Sequence, residues 1–364
     1  MLITLSIIIL ILFHLIILIS LKKLFFEQEN KNSEVKISAG YVRISIVIAA
    51  KNEVNNIKTI LEYLTKLDYE AENFEVIFVD DHSTDNTRDE IQKSISRLDN
   101  FRLISLLESE EGGKRNALAK GIESSRYKFI LITDADCIPE QKWLIAFSKK
   151  FTKGFDFLFG IAPFKQNNSF VNRIACFENL RSSILTLLFV GIGSPYSAAA
   201  RNFGFTKGAF EKVKGYSNTK QTLSGDDDLL LREAVKNNLK IGSVTEKGSF
   251  VFSKTKQTLK EYLNQRARHT QSSAYYLLKH KLLLSIWHLS NLFSLLSIVL
   301  MLLNPFWGLL FAFKLLVDIL IVKINDRKFG YDFNLSEIII LQILYELFLI
   351  VHFINSRFTK VKWK

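Results

Sequence analysis

An α/β domain on a mostly parallel sheet with helices on both faces, flanked by membrane helices, is the fold class predicted by this 364-residue sequence. Three observations predict it. Short β-branched, apolar runs alternate with segments of helical period at crossover spacing, the pattern of parallel strands joined by helices. Three of these runs stop at charged residues, at the carboxyl ends where open parallel sheets bind ligands. Apolar stretches of about 20 residues, enough for a bilayer, occur near both ends of the chain.

Leu2–Leu21 has His14 as its only strongly polar interruption and is followed by Lys22 and Lys23. With no small-residue cleavage site after it, the stretch reads as an uncleaved anchor, and the lysines put its C-terminal end in the cytoplasm. The expected organisation is an anchor over 1–22, a polar linker over 23–43, an α/β domain over 44–280 and a membrane region over 281–364.

Ile44–Ala50 is a buried strand running into Lys51-Asn52-Glu53, and Ile57, Ile60, Leu61, Leu64 and Leu67 then follow the helical period. Glu75–Val79 is a second strand ending in Asp80-Asp81, with a helix expected to about Leu98. Phe101–Leu106 is a third strand, and Gly112-Gly113-Lys114-Arg115 opens the next helix. Tyr127–Ile132 is the strand before Thr133-Asp134-Ala135-Asp136-Cys137. Side chains alternate along a strand, so Asp134 and Asp136 are expected on one side of its end. Two carboxylates that close repel unless a cation joins them, and oxygen ligands suit Mg²⁺ or Mn²⁺.

Gly154–Pro163 reads as strand-like, and Asn172–Val190 as a helix facing core or membrane. Arg201–Lys207 reads as a turn with exposed polar groups. Ser224-Gly225-Asp226-Asp227-Asp228 stands at a helix N-terminus, where the helix dipole favours acids. Three in a row exceed what capping needs, and a crowded carboxylate with a raised pKa makes a general base. Gln265 and Arg268, three apart on a helix expected over Leu259–Lys279, share a face. Arginines beside a carboxylate site suit a diphosphate; a basic helix resting on lipid headgroups is the other reading. Leu284–Leu303, Phe306–Val322 and Leu335–Ile354 are long enough to span. Lys323–Tyr331 is basic and expected in the cytoplasm, as in a two-span hairpin. A third full span would put Lys360, Lys362 and Lys364 outside, against the charge bias, so two or three spans stay open.

The net charge of +12 is scattered along the chain, which fits anionic lipid and an anionic nucleotide. No aromatic-and-basic module for nucleic acid occurs. Cys137 and Cys176 stand in unrelated contexts, which excludes a disulfide framework and zinc spacing and fits a reducing compartment.

Five stretches, in order, resemble a membrane-bound family 2 glycosyltransferase with a GT-A catalytic domain. They are Ile48–Glu53, Val79–Asp85, Gly113–Leu118, Asp134-Ala135-Asp136, and the late acidic cluster followed by Gln265-Arg266-Ala267-Arg268. The resemblance implies that Glu53, Asp80, Asp81, Lys114, Arg115 and Asp134 bind the donor nucleotide and that Asp136 binds a divalent metal, Mg²⁺ or Mn²⁺. Gln265, Arg266 and Arg268 resemble the Q-x-x-R-W element on the diphosphate and acceptor, and Asn202 and Lys207 resemble an acceptor-side segment. A late acid then deprotonates the acceptor hydroxyl. Counting back from Arg232 favours Asp226 as that base, with Asp228 the second acid, whereas reading from Gly225 gives Asp227. Departures are the all-aspartate motif after Gly225 and His269 in place of a stacking Trp. The implied activity is inverting transfer from a nucleotide sugar, UDP-linked, to a lipid, lipid-linked or saccharide acceptor at the cytoplasmic membrane face. Lys314, Asp318 and Glu346, charges inside apolar stretches, keep a processive synthase of the cellulose, hyaluronan or poly-N-acetylglucosamine type as an alternative. A non-catalytic scaffold of the same fold is another.

Overall fold

The computed structural model describes residues 5, 8–9, 11–20, 22, 41–222 and 225–358. The linker over 23–40, the ends of the chain and Ser224 therefore lie outside the described residues, as does part of the expected anchor.

An apolar helix, α1 (Ile11–Ser20), comes first. The α/β domain opens with β1 (Ile44–Ala50), α2 (Val54–Leu64), β2 (Phe74–Asp80), α3 (Thr87–Ser94), β3 (Phe101–Ser105), α4 (Lys114–Glu123) and β4 (Phe129–Asp134). It continues with β5 (Ile138–Pro139), α5 (Trp143–Phe151), β6 (Phe157–Gly160), α6 (Phe170–Gly191), β7 (Phe203–Thr206), α7 (Lys207–Lys212), α8 (Asp226–Lys236), β8 (Ile241–Val244), β9 (Val251–Phe252) and α9 (Leu259–Ser272). Three long helices follow: α10 (Leu278–Leu300), α11 (Trp307–Asn325) and α12 (Leu335–Phe358).

The main sheet has the order β3-β2-β1-β4-β7-β6-β8. All neighbours are parallel except β7, which runs antiparallel to both β4 and β6. Strand alternation divides the core into two layers. Ile44, Ile46 and Ile48 of β1 pack with Ile57, Ile60 and Leu64 of α2 and with Trp143 and Phe147 of α5. Val47 points the other way, towards Ala117, Leu118 and Ile122 of α4 and the apolar side of α6. Gly121 lets α4 sit close, since a Cβ there would lie 2.4 Å from the Val47 side chain. A sheet covered on both faces buries runs that are apolar at every position, as β1 is.

Three expectations change. Arg201–Lys207 is not an exposed turn: Phe203–Thr206 form β7, which is fully buried. The helix expected over Leu259–Lys279 breaks after Ser272, and α10 begins at Leu278. Among the described residues, the helices long and apolar enough to cross a membrane are α6, α10 and α12; the expected span Phe306–Val322 falls on α11, which Lys314, Asp318 and Lys323 interrupt. Of these helices α6 is a core element, with 67% of its apolar window buried inside the protein against 22% for α10.

Candidate active site

Register brings the ends of three strands together. Ala50 of β1 pairs with Asp80 of β2, and Ala49 pairs with Asp134 of β4. The chain then turns sharply: Asn52 and His82 take left-handed conformations with φ of 56° and 54°. Asp81, buried, accepts from the Gly113 amide at 2.8 Å and lies 3.6 Å from Lys51 Nζ. His82 Nε2 donates to the Leu107 carbonyl at 2.9 Å, and its Nδ1 lies 3.5 Å from Asp81 Oδ1. Asp80 is buried and, among the described residues, its Oδ1 has no hydrogen-bond partner. The Glu53 carboxylate accepts from Asn56 Nδ2 at 2.6 Å, and its backbone amide donates to Thr87.

The first turn of α4 is the hub. Cations there oppose the helix dipole, so their placement needs compensation by acids. Lys114 Nζ donates to Asp134 Oδ1 at 2.5 Å, and Arg115 Nε donates to Asp226 Oδ1, joining the β4 end to the N-terminus of α8. Burial works against the Lys114 charge, but Asp134, Asp226 and Asp227 hold its pKa above the usual lysine value. Burial likewise opposes the Asp134 charge, and Lys114, Arg201 and Arg268 overcome it, holding the carboxyl below its usual range.

Gly225, at φ 82°, starts α8 and aims the three aspartates. Asp227 Oδ2 accepts from the Ala200 amide at 2.6 Å and Oδ1 from the Asp228 amide at 2.9 Å. Burial, then the charges of Asp228 and Asp226, push Asp227 up to about 7. Asp228 is braced instead: it accepts from Tyr276 Oη at 2.6 Å, Ser272 Oγ at 3.3 Å and the Ala198 amide at 3.1 Å. Burial outweighs these bonds and raises its pKa as well.

β4 ends at Asp134, so Ala135-Asp136 is a turn and not a strand continuation. The two carboxylates still converge: ligand atoms of Asp134, Asp136 and Cys137 lie within 4.8 Å of one another. Two hard carboxylate oxygens on an accessible edge fit a divalent cation of the Mg²⁺ or Mn²⁺ kind. Cys137 is buried, its Sγ 3.6 Å from Asp136 Oδ1, and burial raises the thiol well above its usual pKa.

Other expected site residues sit apart. Asn202 is buried, accepting from Trp143 Nε1 at 2.9 Å and donating to the Ile161 carbonyl at 2.8 Å. Lys207 donates to the carbonyls of Glu123 and Ser125. Asn202 is thus engaged inside the core and Lys207 at the end of α4. Arg266 faces away from Arg268 and lies 3.5 Å from Glu178 of α6. Gln265, half-buried on α9, is one turn before Arg268, whose charge reaches Asp134. Sequence reasoning missed Tyr276, Ser272 and the amides of Ala198 and Ala200; no motif marks a backbone donor or a distant hydroxyl.

Comparison with known proteins agrees with this geometry. Residues 45–213 match the description "Glycosyl transferase family 2". Glycosyltransferase AglE of Haloferax volcanii is 34% identical over 101 residues, 28% of this chain and 33% of that protein. The poly-beta-1,6-N-acetyl-D-glucosamine synthase of Staphylococcus aureus is 36% identical over 112 residues, 31% of this chain and 26% of the synthase. The alignments thus span a third or less of these curated relatives. Among solved structures, the mannosyltransferase PcManGT from Pyrobaculum calidifontis, in complex with GDP-Man and Mn²⁺, superposes with a TM-score of 0.56 at 16% identity. That superposition covers 96% of this chain and 99% of PcManGT, and at such identity it speaks for the GT-A-like fold. Residues 45–213, with the acid-lined strand ends they carry, thus form a glycosyl transferase family 2 domain.

Proposed function

We propose that the enzyme transfers one sugar, with inversion, from a nucleotide sugar to a lipid-linked acceptor at the cytoplasmic face of a membrane. The observation that carries this reading is the convergence on the first turn of α4. Lys114 and Arg115 there join Asp134 of β4 to the late acidic cluster, so donor side and base side form one site. Asp81, with Lys51 and Gly113 around it, forms the nucleoside end together with Glu53. Lys114 and Arg268 offset charge on the diphosphate. A divalent cation held by Asp134 and Asp136 would add its charge against the leaving diphosphate.

Asp227 is the base in this reading, not the Asp226 favoured by motif counting. Arg115 holds the Asp226 carboxylate, whereas Asp227 has a pKa near the working pH, where a base is most effective. Asp227 takes the acceptor hydroxyl proton, the oxygen bonds to the anomeric carbon, and the nucleoside diphosphate leaves with the bonding pair. A single displacement inverts that carbon.

The apolar helices and a relative in Methanococcus voltae support a lipid-linked acceptor. That protein, named as a glucuronosyltransferase acting on a dolichyl N-acetylglucosaminyl phosphate, is 36% identical over 101 residues. The α11–α12 connection supports this orientation: Tyr331 Oη donates to Asn179 and accepts from the Phe164 amide, which holds basic Lys323–Lys328 near the catalytic domain. Against the processive reading, Lys314, Asp318 and Glu346 pair with one another in the helix packing.

The test is nucleotide release by detergent-purified protein with Mg²⁺ or Mn²⁺, screened over UDP-, GDP- and CDP-sugars with and without lipid extract. The expected outcome is lipid-stimulated release from one donor, UDP-linked, and a single-sugar product. A polymer product would establish the synthase; no metal-dependent donor binding would leave the scaffold.

A further inference from the structure

The last helix, α12, is 24 residues long and apolar enough to cross a bilayer. A helix that crosses separates its ends by about 30 Å along the membrane normal. Both ends of α12 instead meet the catalytic domain. At its start, Glu337 pairs with Arg173 near the beginning of α6 at 2.6 Å. Just before it, the Asp332 amide donates to Gln166 at 2.8 Å. At its other end, His352 lies 3.0 Å from the Glu178 carboxylate, Asn355 Nδ2 donates to the Leu263 carbonyl at 3.2 Å, and Gln271 Nε2 donates to the Ser356 carbonyl at 3.0 Å. Leu263 and Gln271 belong to α9, the helix of Gln265 and Arg268.

One polar domain cannot stand on both sides of a bilayer. We therefore infer that α12 does not cross but lies in the membrane plane as a strap, lipid on its outer side and α6 and α9 on its inner side. The exposed residues fit that seat. Ile340, Leu347, Val351, Phe353, Ile354 and Phe358 are apolar and 41–82% exposed. Its polar residues turn inward: Gln342 donates to Asp318 of α11, Glu346 accepts from Lys314, and His352 meets Glu178. The occupant of the outer face is the lipid bilayer, continuous with the lipid that surrounds the exposed leucines of α10. α10 and α11 then form the hairpin that leaves and returns, the Lys314 and Asp318 charges that interrupt α11 being paired inside the helix packing, with its tip at Leu302 and Leu303 85% and 83% exposed. The end of α12 at Phe358 then lies on the catalytic side.

This inference rests on the proposed membrane seat, and its test separates the two. Single cysteines replace Asn304, Lys328 and Lys364 one at a time, over the buried native Cys137 and Cys176. A membrane-impermeant maleimide is applied to intact cells and to inverted vesicles, after recovery in the membrane fraction is confirmed. Asn304→Cys is expected to react in intact cells, and Lys328→Cys and Lys364→Cys only in inverted vesicles. Reaction of Lys364→Cys together with Asn304→Cys in intact cells would overturn the strap while leaving the membrane seat intact. Recovery only in the soluble fraction would overturn both. Absence of nucleotide-sugar binding would leave either topology result standing.

Discussion

Tyr276 Oη donates to Asp228 Oδ2 at 2.6 Å, and the bond fastens the link between α9 and α10 to the first turn of α8. Tyr276 also packs edge-on against Tyr196, at 5.6 Å between ring centroids, in the segment whose Ala198 and Ala200 amides hold Asp228 and Asp227. The acids are therefore aimed by the elements that lead into the membrane helices. Tyr276→Phe removes one bond to a charged acceptor, of the class that contributes about 1.5–3 kcal/mol. A lower melting temperature and a lower kcat with little change in donor KM are expected, read by thermal unfolding and steady-state kinetics. An unchanged melting temperature would mean that Asp228 is braced without the hydroxyl.

The identity of the base has a pH signature. Burial, Asp228 and Asp226 raise Asp227 to about 7, and a base works when deprotonated, so kcat/KM should rise with pH through about 7 and then level. Asp227→Asn should lose about 10²–10⁴-fold in kcat. Asp226→Asn removes a like charge from beside Asp227 and should move the rising limb to lower pH with a smaller loss. Arg115→Ala leaves Asp226 uncompensated and should move the limb to higher pH. A loss in Asp226→Asn equal to that in Asp227→Asn would assign the base to Asp226.

The same residue makes a stability prediction. The folded pKa of Asp227 is raised, so the folded state holds a proton that the unfolded chain has released. This contribution to stability is complete below the unfolded value near 4 and is lost as pH rises through about 7. Denaturant midpoints measured across that window should fall with pH, and less steeply in Asp227→Asn.

Asp136 is the carboxylate of the pair that faces solvent. Its removal should therefore cost binding and not folding. Asp136→Asn is expected to keep the wild-type melting temperature without metal and to lose the Mn²⁺-dependent part of nucleotide-sugar affinity, measured by calorimetry. Metal-dependent donor binding of wild-type strength in that variant would move the cation site elsewhere.

The strand ends were legible because their signal is local. β1, β2 and β4 are apolar at nearly every position and stop at charged residues, and three such stops in parallel strands define a site before any contact is known. β7 was not legible: four residues offer no period, and its antiparallel insertion between β4 and β6 depends on partners more than 40 residues away. Asn202 misled because an amide in a polar-looking segment resembles a surface residue; Trp143 and the Ile161 carbonyl satisfy it inside the core. Arg266 could have been separated from Arg268 by helical geometry, since a residue one step from Gln265 turns about 100° off the face shared by residues three apart. The pairing of α12 with α9 has no local signal at all, because both read simply as helices.

The glycine pair before α4 gives the last prediction. Gly113 sits at φ 118° and donates its amide to Asp81, and a Cβ on Gly112 would lie 2.9 Å from Asp81 Oδ1 and 3.1 Å from His82 Nδ1. Neither neighbour can retreat easily, since Asp81 is buried and the His82 ring is held at the Leu107 carbonyl. Gly112→Ala must therefore push the loop off Asp81 and lengthen the bond from Gly113. Gly113→Ala meets open space but forces an L-residue into a conformation that favours glycine. If Asp81 is the nucleoside contact, both variants should weaken binding of the free nucleoside diphosphate, by about 1–3 kcal/mol from strain of this kind, and leave the pH limb set by Asp227 in place. The first does so by steric contact and the second by backbone strain. A double variant should then lose little more than either alone, because both release the same loop. Wild-type nucleotide affinity in both single variants would detach the loop from the nucleoside end.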